Sequence, residues 1–447
     1  MTTELSNKMN AVVEKALKKG AERAEIMVNR AQNFSLESNR GEISKYSLSG
    51  PESITLRIEK DSHFGASFCE NWDEDSIDFM VNQSLEYSEL KEKDTYSRIG
   101  KDASTKITGD LYDPSKEVVH ETKEKIDFVL EMEKAIRNKG DDVKEVPYNG
   151  FGESISETFL VNSEGADCRA SDKYFSCYTS ALCEDSSSQA LFYKSDLSRT
   201  FKGLDSEKCI NYSYEEAKRI LPGGPIPSGE YEVIFDLDEY QSLFGTFSLA
   251  FSGKGAMDKV NPFREKLGET VADTNLTIRD LPRFEKGFFK SYFDGEGVPT
   301  KDLTLFDQGV FKNFIHNTKT SQYFKQPNTG HASRPSRGVL GVSTHQVVIE
   351  PGKVEDEKLK SGKWLQIIRL QGLHSGTDAI SGDFSLGAWG LLHYQGENGH
   401  RTDPYFYIEM PYGDMQPRLT IESHALKTQH KLIVTTREIS DKNLRKH

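Results

Sequence analysis

Between Gly372 and Ala388 the chain reads Gly-Leu-His-Ser-Gly-Thr-Asp-Ala-Ile-Ser-Gly-Asp-Phe-Ser-Leu-Gly-Ala. Four glycines, three serines, two acids and one histidine crowd into seventeen residues. Such a stretch either lets backbone approach a ligand closely or turns the chain between strands. Its serines do not form a nucleophile elbow, which needs Gly-x-Ser-x-Gly on a strand-to-helix turn. Ser375 has Leu373 and Thr377 where glycines are required, and Ser381 has Ala379 and Asp383. Asp378 and Asp383 lie five apart, but acid–base work needs two carboxyls of unequal pKa about one site. Acids in a glycine-rich segment more commonly accept backbone N–H bonds in turns, and that reading is favoured here.

Metal chemistry finds no local motif. None of the eleven histidines forms His-Glu-x-x-His, none lies between His120 and His316, and the five cysteines have no Cys-x-x-Cys spacing. A site assembled from His331, His374 and Asp378 has no support from spacing. Gly253-Lys254-Gly255 and Gly295-Glu296-Gly297 lack the spacing of a phosphate-cradling loop. The acid in the second would repel an anion, so both read as turns.

The elements that must position these residues fall into two halves. Leu5, Met9, Val12, Val13, Ala16 and Leu17 share a helical face that stops at Gly20. Alternating strands follow, with hairpin turns at Ser38–Gly41 and Lys60–His63, and then a helix capped by Asp73 or Asp75. The order recurs: a helix with Ile126, Val129, Leu130 and Ile136, then strands with a turn at Asn162–Gly165 and further strands over 174–182 and 188–193. Pro222 to Gly229 holds three prolines and three glycines in eight residues and marks a junction. Beyond it come a strand at Tyr231–Phe235, a helix from Glu239 to Phe251, and short strands with glycine turns. The pattern predicts an α+β fold. An N-terminal domain (1–221) would hold two helix-plus-antiparallel-sheet units, about 1–100 and 111–221. A C-terminal β-rich domain (228–447) would carry a curved or barrel-like sheet.

The chain has 447 residues, a formal net charge of −13 and 36% hydrophobic residues. Nucleic-acid binding relies on clustered cations, so this balance and the lack of a basic stripe argue against it. The start has no apolar signal region, and no stretch approaches the ~18 apolar residues of a membrane span. Irregularly spaced cysteines fit reduced thiols and a cytoplasmic location.

The glycine-rich segment resembles the C-terminal signature of the TldD/PmbA family (modulator of DNA gyrase family), most closely its PmbA/TldE-like branch. Phe293-Asp-Gly-Glu-Gly-Val-Pro-Thr300 with Leu305-Phe-Asp-Gln-Gly-Val310 is similar to another family element. So is Asn328-Thr-Gly-His-Ala-Ser-Arg334 before Ile349-Glu-Pro-Gly352. Leu160-Val-Asn-Ser-Glu-Gly165 and Leu111-Tyr-Asp-Pro114 extend the resemblance into the first half. One departure is a compressed stretch from Arg401 to Ile421, followed by a charged, weakly patterned tail from Ser423 to His447.

In that family, TldD-type subunits carry His-Glu-x-x-x-His on a helix after the first strand of the second domain, bind metal and cleave unfolded peptides. The matching helix here, Glu239 to Phe251, has no histidine. The resemblance therefore implies a non-catalytic PmbA/TldE-like subunit with no catalytic or metal-ligating residue of its own. The metal would sit on a TldD-like partner subunit, together enclosing a peptidase chamber for extended peptides used in maturation or degradation. Alone, the chain would form a homodimer, and it would need neither nucleic acid nor membrane. His331, Arg334, His374, Ser375, Asp378, Ser381 and Asp383 are the expected substrate-contact residues. Two other readings stay open: an autonomous hydrolase carried by His374, Asp378 and Asp383, or a protein-binding modulator of DNA gyrase.

Overall fold

The computed structural model describes residues 3–434, apart from 104–105, 187, 225, 228, 336–338, 353–355, 397–398, 411–418 and 423–424. Helix α1 (Thr3–Lys18) leads into β1 (Arg23–Asn39), β2 (Glu42–Ser49), β3 (Glu52–Lys60), β4 (His63–Cys69) and α2 (Glu74–Leu90). Asp73 caps α2 by accepting the Ser76 N–H at 2.9 Å. The order then repeats. After β5 (Ile107–Asp110) come α3 (Thr122–Arg137), β6 (Val143–Glu145), β7 (Asn149–Asn162), β8 (Asp167–Glu184), β9 (Gln189–Ser198) and α4 (Ser206–Ile220). The repeated helix-and-strand units expected from the patterning are therefore present, and their strands merge into one sheet.

That sheet has nine strands in the order β4-β3-β1-β7-β8-β5, with β2 on β1 and both β6 and β9 on β8. It is antiparallel except where β5 runs parallel to β8. It curls into a half-barrel. Strand alternation decides its two faces. Ala24, Ile26 and Val28 of β1 and Ile54, Leu56 and Ile58 of β3 pack under α1 and α2. Cys177, Ala181 and Cys183 of β8 pack under α3 and α4 with Cys209, Ile210 and Tyr214. All five cysteines are free thiols, four of them buried. Residues between these positions, Glu25 and Arg57 among them, point to the face that carries no helix of the first half.

The second half opens with β10 (Gly229–Phe235), α5 (Leu237–Thr246), α6 (Gly253–Met257) and β11 (Ile278–Asp280). β12 (Leu303–Asp307), β13 (Val310–Phe311), α7 (Thr318–Phe324), β14 (Ala332–Ser333), β15 (Gly341–Val342) and β16 (Val347–Ile349) follow. The last strands are β17 (Trp364–Gln371), β18 (Leu386–Gly396), β19 (Gly399–Met410), β20 (Leu419–Glu422) and β21 (Ala425–Val434). A six-stranded sheet runs β19-β18-β17-β10-β21-β20, beside a four-stranded sheet β13-β12-β11-β16 and the β14–β15 ribbon. Phe251, Phe306, Phe311, Phe314 and Leu365 are among the side chains of its shared core.

Three expectations need correction. Gly253-Lys254-Gly255, read as a turn, opens α6, where Ser252 caps the helix by accepting the Gly255 N–H. The helix expected over 239–251 ends at Thr246 and gives way to a 3-10 turn at Ser248–Phe251. Gly245 and the β-branched Thr246 are weak helix formers, so the helix stops there. The tail from Ser423 lacks a clear pattern of its own, yet Ala425–Val434 forms β21, antiparallel to β10. Strand pairing with β10 supplies what local sequence does not. Residues 411–418 of the compressed stretch and 435–447 of the tail lie outside the described residues. Among the described residues, no helix is long and apolar enough to cross a membrane.

The seating of α2 on β4 depends on Gly65. A Cβ there would lie 1.7 Å from the Ser84 carbonyl oxygen, which belongs to the helix backbone and cannot swing aside. Gly65→Ala should push α2 off the sheet and cost at least about 1–3 kcal/mol of stability, read as a lower urea midpoint. An unchanged midpoint would show that the helix is not held at that distance.

Candidate functional site

Glu25 and Arg57 face each other on β1 and β3. Two buried charges of opposite sign on one face of the sheet need partners, because a buried unpaired charge is costly. The second half supplies them. Arg334, just after β14, donates from Nη1 to Glu25 Oε1 at 2.7 Å, and Arg57 Nη1 lies 3.0 Å from Glu296 Oε1. The other Glu296 oxygen accepts the Thr318 N–H at 2.9 Å. Glu25 is 0% exposed, and the Arg334 side chain 4%. The strand carrying Arg334 can come this close only because residue 295 is glycine: a Cβ there would stand 2.7 Å from Arg334 Cβ.

The turn between Phe293 and Pro299 is built on Asp294. Its Oδ1 accepts the N–H groups of Glu296 and Val298 at 2.9 and 3.0 Å, and its Oδ2 accepts that of Ala332 at 2.9 Å. Burial, reinforced by the Glu296 carboxylate, pushes the Asp294 carboxyl up to about 8, against these three backbone donors. The Gly-Glu-Gly element is a turn, as its sequence indicates. Its acid is a buried ion-pair partner, which the sequence reading missed.

Behind this turn lies a histidine cluster. His331 Nδ1 lies 2.8 Å from Thr329 O and Nε2 3.1 Å from Asp280 Oδ2. Asp280 also accepts the N–H groups of His345 and Gln346 at 2.8 and 2.7 Å. Burial raises the Asp280 pKa, but His331 and the two backbone donors outweigh it and hold the carboxyl below its usual range. The His345 ring sits 4.7 Å from that of His331. His316 Nδ1 lies 3.1 Å from Thr320 Oγ1. Burial, with the charge of His331 adding to it, pulls its pKa down to about 4.

The expected substrate-contact residues separate into two groups. His331 and Arg334 belong to this buried network. His374, Ser375, Asp378, Ser381 and Asp383 lie on the turn from β17 to β18, four of them exposed. The hydrogen bonds of that turn close on itself. Gly376 N–H donates to Gly372 O at 2.7 Å, Asp378 N–H to Asp383 O at 2.8 Å, and Ile380 N–H to Asp378 Oδ1 at 2.8 Å. The Ile380 and Ser381 N–H groups hold Asp378 below the usual carboxylate range. Asp378 thus caps the turn.

Helix α5 is the element onto which the resemblance maps the metal motif of TldD-type subunits. Asp236 at its N-terminus accepts from Gln366 Nε2 at 2.7 Å, Glu239 accepts the Leu370 N–H at 2.8 Å, and Asp238 pairs with Lys194 at 2.5 Å. The helix contains no histidine or cysteine, and each of its acids already holds a structural partner. Among the described residues, no three His, Cys, Asp or Glu side chains stand close enough together to hold a metal ion. The donors present on α5 do not fit a peptidase metal.

Two cavities flank the network. A cavity of about 350 Å³ is lined by Thr158, Tyr292, Asp294, Arg334 and His345, among others. A larger cleft of about 1320 Å³ is walled by Tyr112, Lys173, Phe175, Arg199 and Phe201.

Arg334→Gln should leave Glu25 and Glu296 sharing Arg57 as their one buried cation and cost about 3–5 kcal/mol, measured by urea unfolding. Glu25→Gln combined with Arg334→Gln should recover much of that loss, and a strictly additive double variant would refute the pairing. The buried His316 fixes a pH dependence. Its folded pKa of about 4 lies below the ordinary 6.5, so the unfolded state binds the proton more readily between those values. Stability should be full above pH 6.5 and fall toward pH 4, by up to about 3 kcal/mol from this ring. His316→Gln should flatten the melting-temperature profile over that interval, and an unaltered slope would refute the assignment.

Residues 120–221 match the PmbA/TldA metallopeptidase central domain, and residues 228–409 match the C-terminal domain of the same proteins. The chain is 26% identical to a metalloprotease of Methanocaldococcus jannaschii, with 87% of this chain and 86% of that protein covered. It is 22% identical to a PmbA metalloprotease homologue of Haemophilus influenzae, covering 88% and 86%. Its fold is similar to TldE of Thermococcus kodakarensis, with a TM-score of 0.80 at 20% identity, over 96% of this chain and all of that one. The two matched domains together span more than half of the sequence. The order of elements agrees with them, and the chain belongs to the TldD/PmbA family.

Proposed function

We propose that this protein is the non-catalytic, PmbA/TldE-like subunit of a cytoplasmic metallopeptidase that acts on unfolded peptides. The observation that carries the reading is α5. In a family of metallopeptidases, the helix at the metal position offers no nitrogen or sulfur donor, and its three acids are committed to Gln366, Leu370 and Lys194. Zinc chemistry needs such donors and an open coordination position. A TldD-like partner supplies the metal and the general base, and this chain completes the wall of the chamber.

Within this reading the chain comprises two domains, 1–221 and 228–447, joined across the Glu25–Arg334 network. The exposed turn carrying His374, Ser375, Asp378, Ser381 and Asp383 meets the peptide directly. His331 and Arg334 shape the wall from behind. Extended peptide is held by strand hydrogen bonds along a sheet edge.

The purified chain, its TldD-like partner and the mixture should be assayed on an unstructured peptide with and without a chelator. Cleavage is expected only when the partner is present, and the chelator should abolish it. Chelator-resistant cleavage by this chain alone would overturn the proposal in favour of an autonomous hydrolase.

A further inference from the structure

The two cavities share lining residues beside a notch in the edge of the nine-stranded sheet. One edge of β8 is filled by β7 and β6. Its other edge carries β5 along Cys168–Ser171 and β9 along Phe175–Glu184. Residues 172–174 therefore have no strand neighbour on that side, and one strand position is vacant over three residues. Backbone groups in such a gap need other partners. The Leu111 N–H reaches Ser171 O at 2.8 Å, and the Arg199 side chain donates from Nη1 to Lys173 O at 3.0 Å. A guanidinium thus stands where a neighbouring strand would be.

Alternation places the cavities on opposite faces. The larger cleft rests on Glu157, Phe159, Lys173 and Phe175, and the smaller cavity on Ser156, Thr158 and Asp172. Both are nonetheless lined by Leu111, Ala170 and Ser171, where β5 ends beside the notch. Arg199 closes it. Besides Lys173 O it pairs with the Asp172 carboxylate and the Phe288 carbonyl, and its guanidinium lies 4.2 Å from the centre of the Phe288 ring.

We propose that this notch is a passage for an extended polypeptide segment around the sheet edge from one face to the other, with Arg199 as its latch. The proposal rests on the peptide-handling function above and names the route. The vacancy is one strand wide and presents main-chain groups, so it suits an extended chain that replaces the Arg199 donor on Lys173 O with its own N–H. The cleft at its outer end exceeds the volume that suits one small ligand. The Arg199 side chain is 34% exposed, so water reaches the guanidinium when it leaves Lys173 O.

The test uses the full chain and an unstructured peptide carrying a benzophenone at each end. After irradiation and digestion, mass spectrometry should find single peptides tethered at one end to the 111–118 or 200–202 region and at the other to the 290–295 or 343–345 region. Arg199→Ala should raise the yield of these double tethers, and Leu111→Trp, at a partly exposed loop position, should lose them. Should Leu111→Trp fail to fold, the Arg199→Ala comparison decides alone. Tethers confined to one cavity, or a double-tether yield that Arg199→Ala leaves unchanged, would overturn the passage. Support of cleavage by the TldD-like partner is measured on the same samples. A chain that supports cleavage without double tethers defeats only the passage, whereas one that supports none defeats the subunit reading.

Discussion

Four buried charges, Glu25, Arg57, Glu296 and Arg334, set the terms on which the two halves of this protein meet. None would be tolerated at its position alone, because transfer of an unpaired charge from water costs several kcal/mol. Each half contributes partners to the other, so the register of the contact is fixed by charge as well as by shape. The consequences spread outward. Arg334 can reach Glu25 only if Gly295 leaves room, and the turn bearing Gly295 keeps its form only while Asp294 holds three backbone N–H groups. The histidine cluster on Asp280 backs the same turn through residues 329–332.

Acids and histidines are plentiful near this contact, yet they are arranged as a scaffold. Asp294, Asp280, Asp236 and Glu239 each accept backbone or side-chain donors that hold neighbouring segments in place. The glycine-rich turn from Gly372 to Ala388 follows the same logic. Its glycines and Asp378 close a compact loop between β17 and β18, and its serines have no elbow geometry.

Much of the architecture was legible from residue order. Alternation in β1 and β3, the Asp73 cap and the hairpin turns are local effects, so the sequence carries them openly. The end of α5 was misplaced because apolar residues continue past Thr246, whereas helix propensity falls there. The strand β21 was illegible because it is specified by β10, nearly two hundred residues earlier. The buried network was half visible. Glu25 and Arg57 alternate with apolar residues of β1 and β3, but no spacing rule names partners 309 and 239 positions away. The turn residue Glu296 looked like an anion-repelling acid. In the fold it is neutralised by an arginine that no local window contains.

The bond between Arg334 and Glu25 spans 309 positions of the chain. During synthesis from the N-terminus, the nine-stranded sheet has all its residues once Ser198 has emerged. Its charged face can then stand in water without penalty, so the first half is free to fold while the ribosome is still making the second. What must wait is dehydration of that face, which cannot finish before Arg334 is available. Burial of that face then brings together groups of opposite charge, an approach that their attraction steers and that salt should slow.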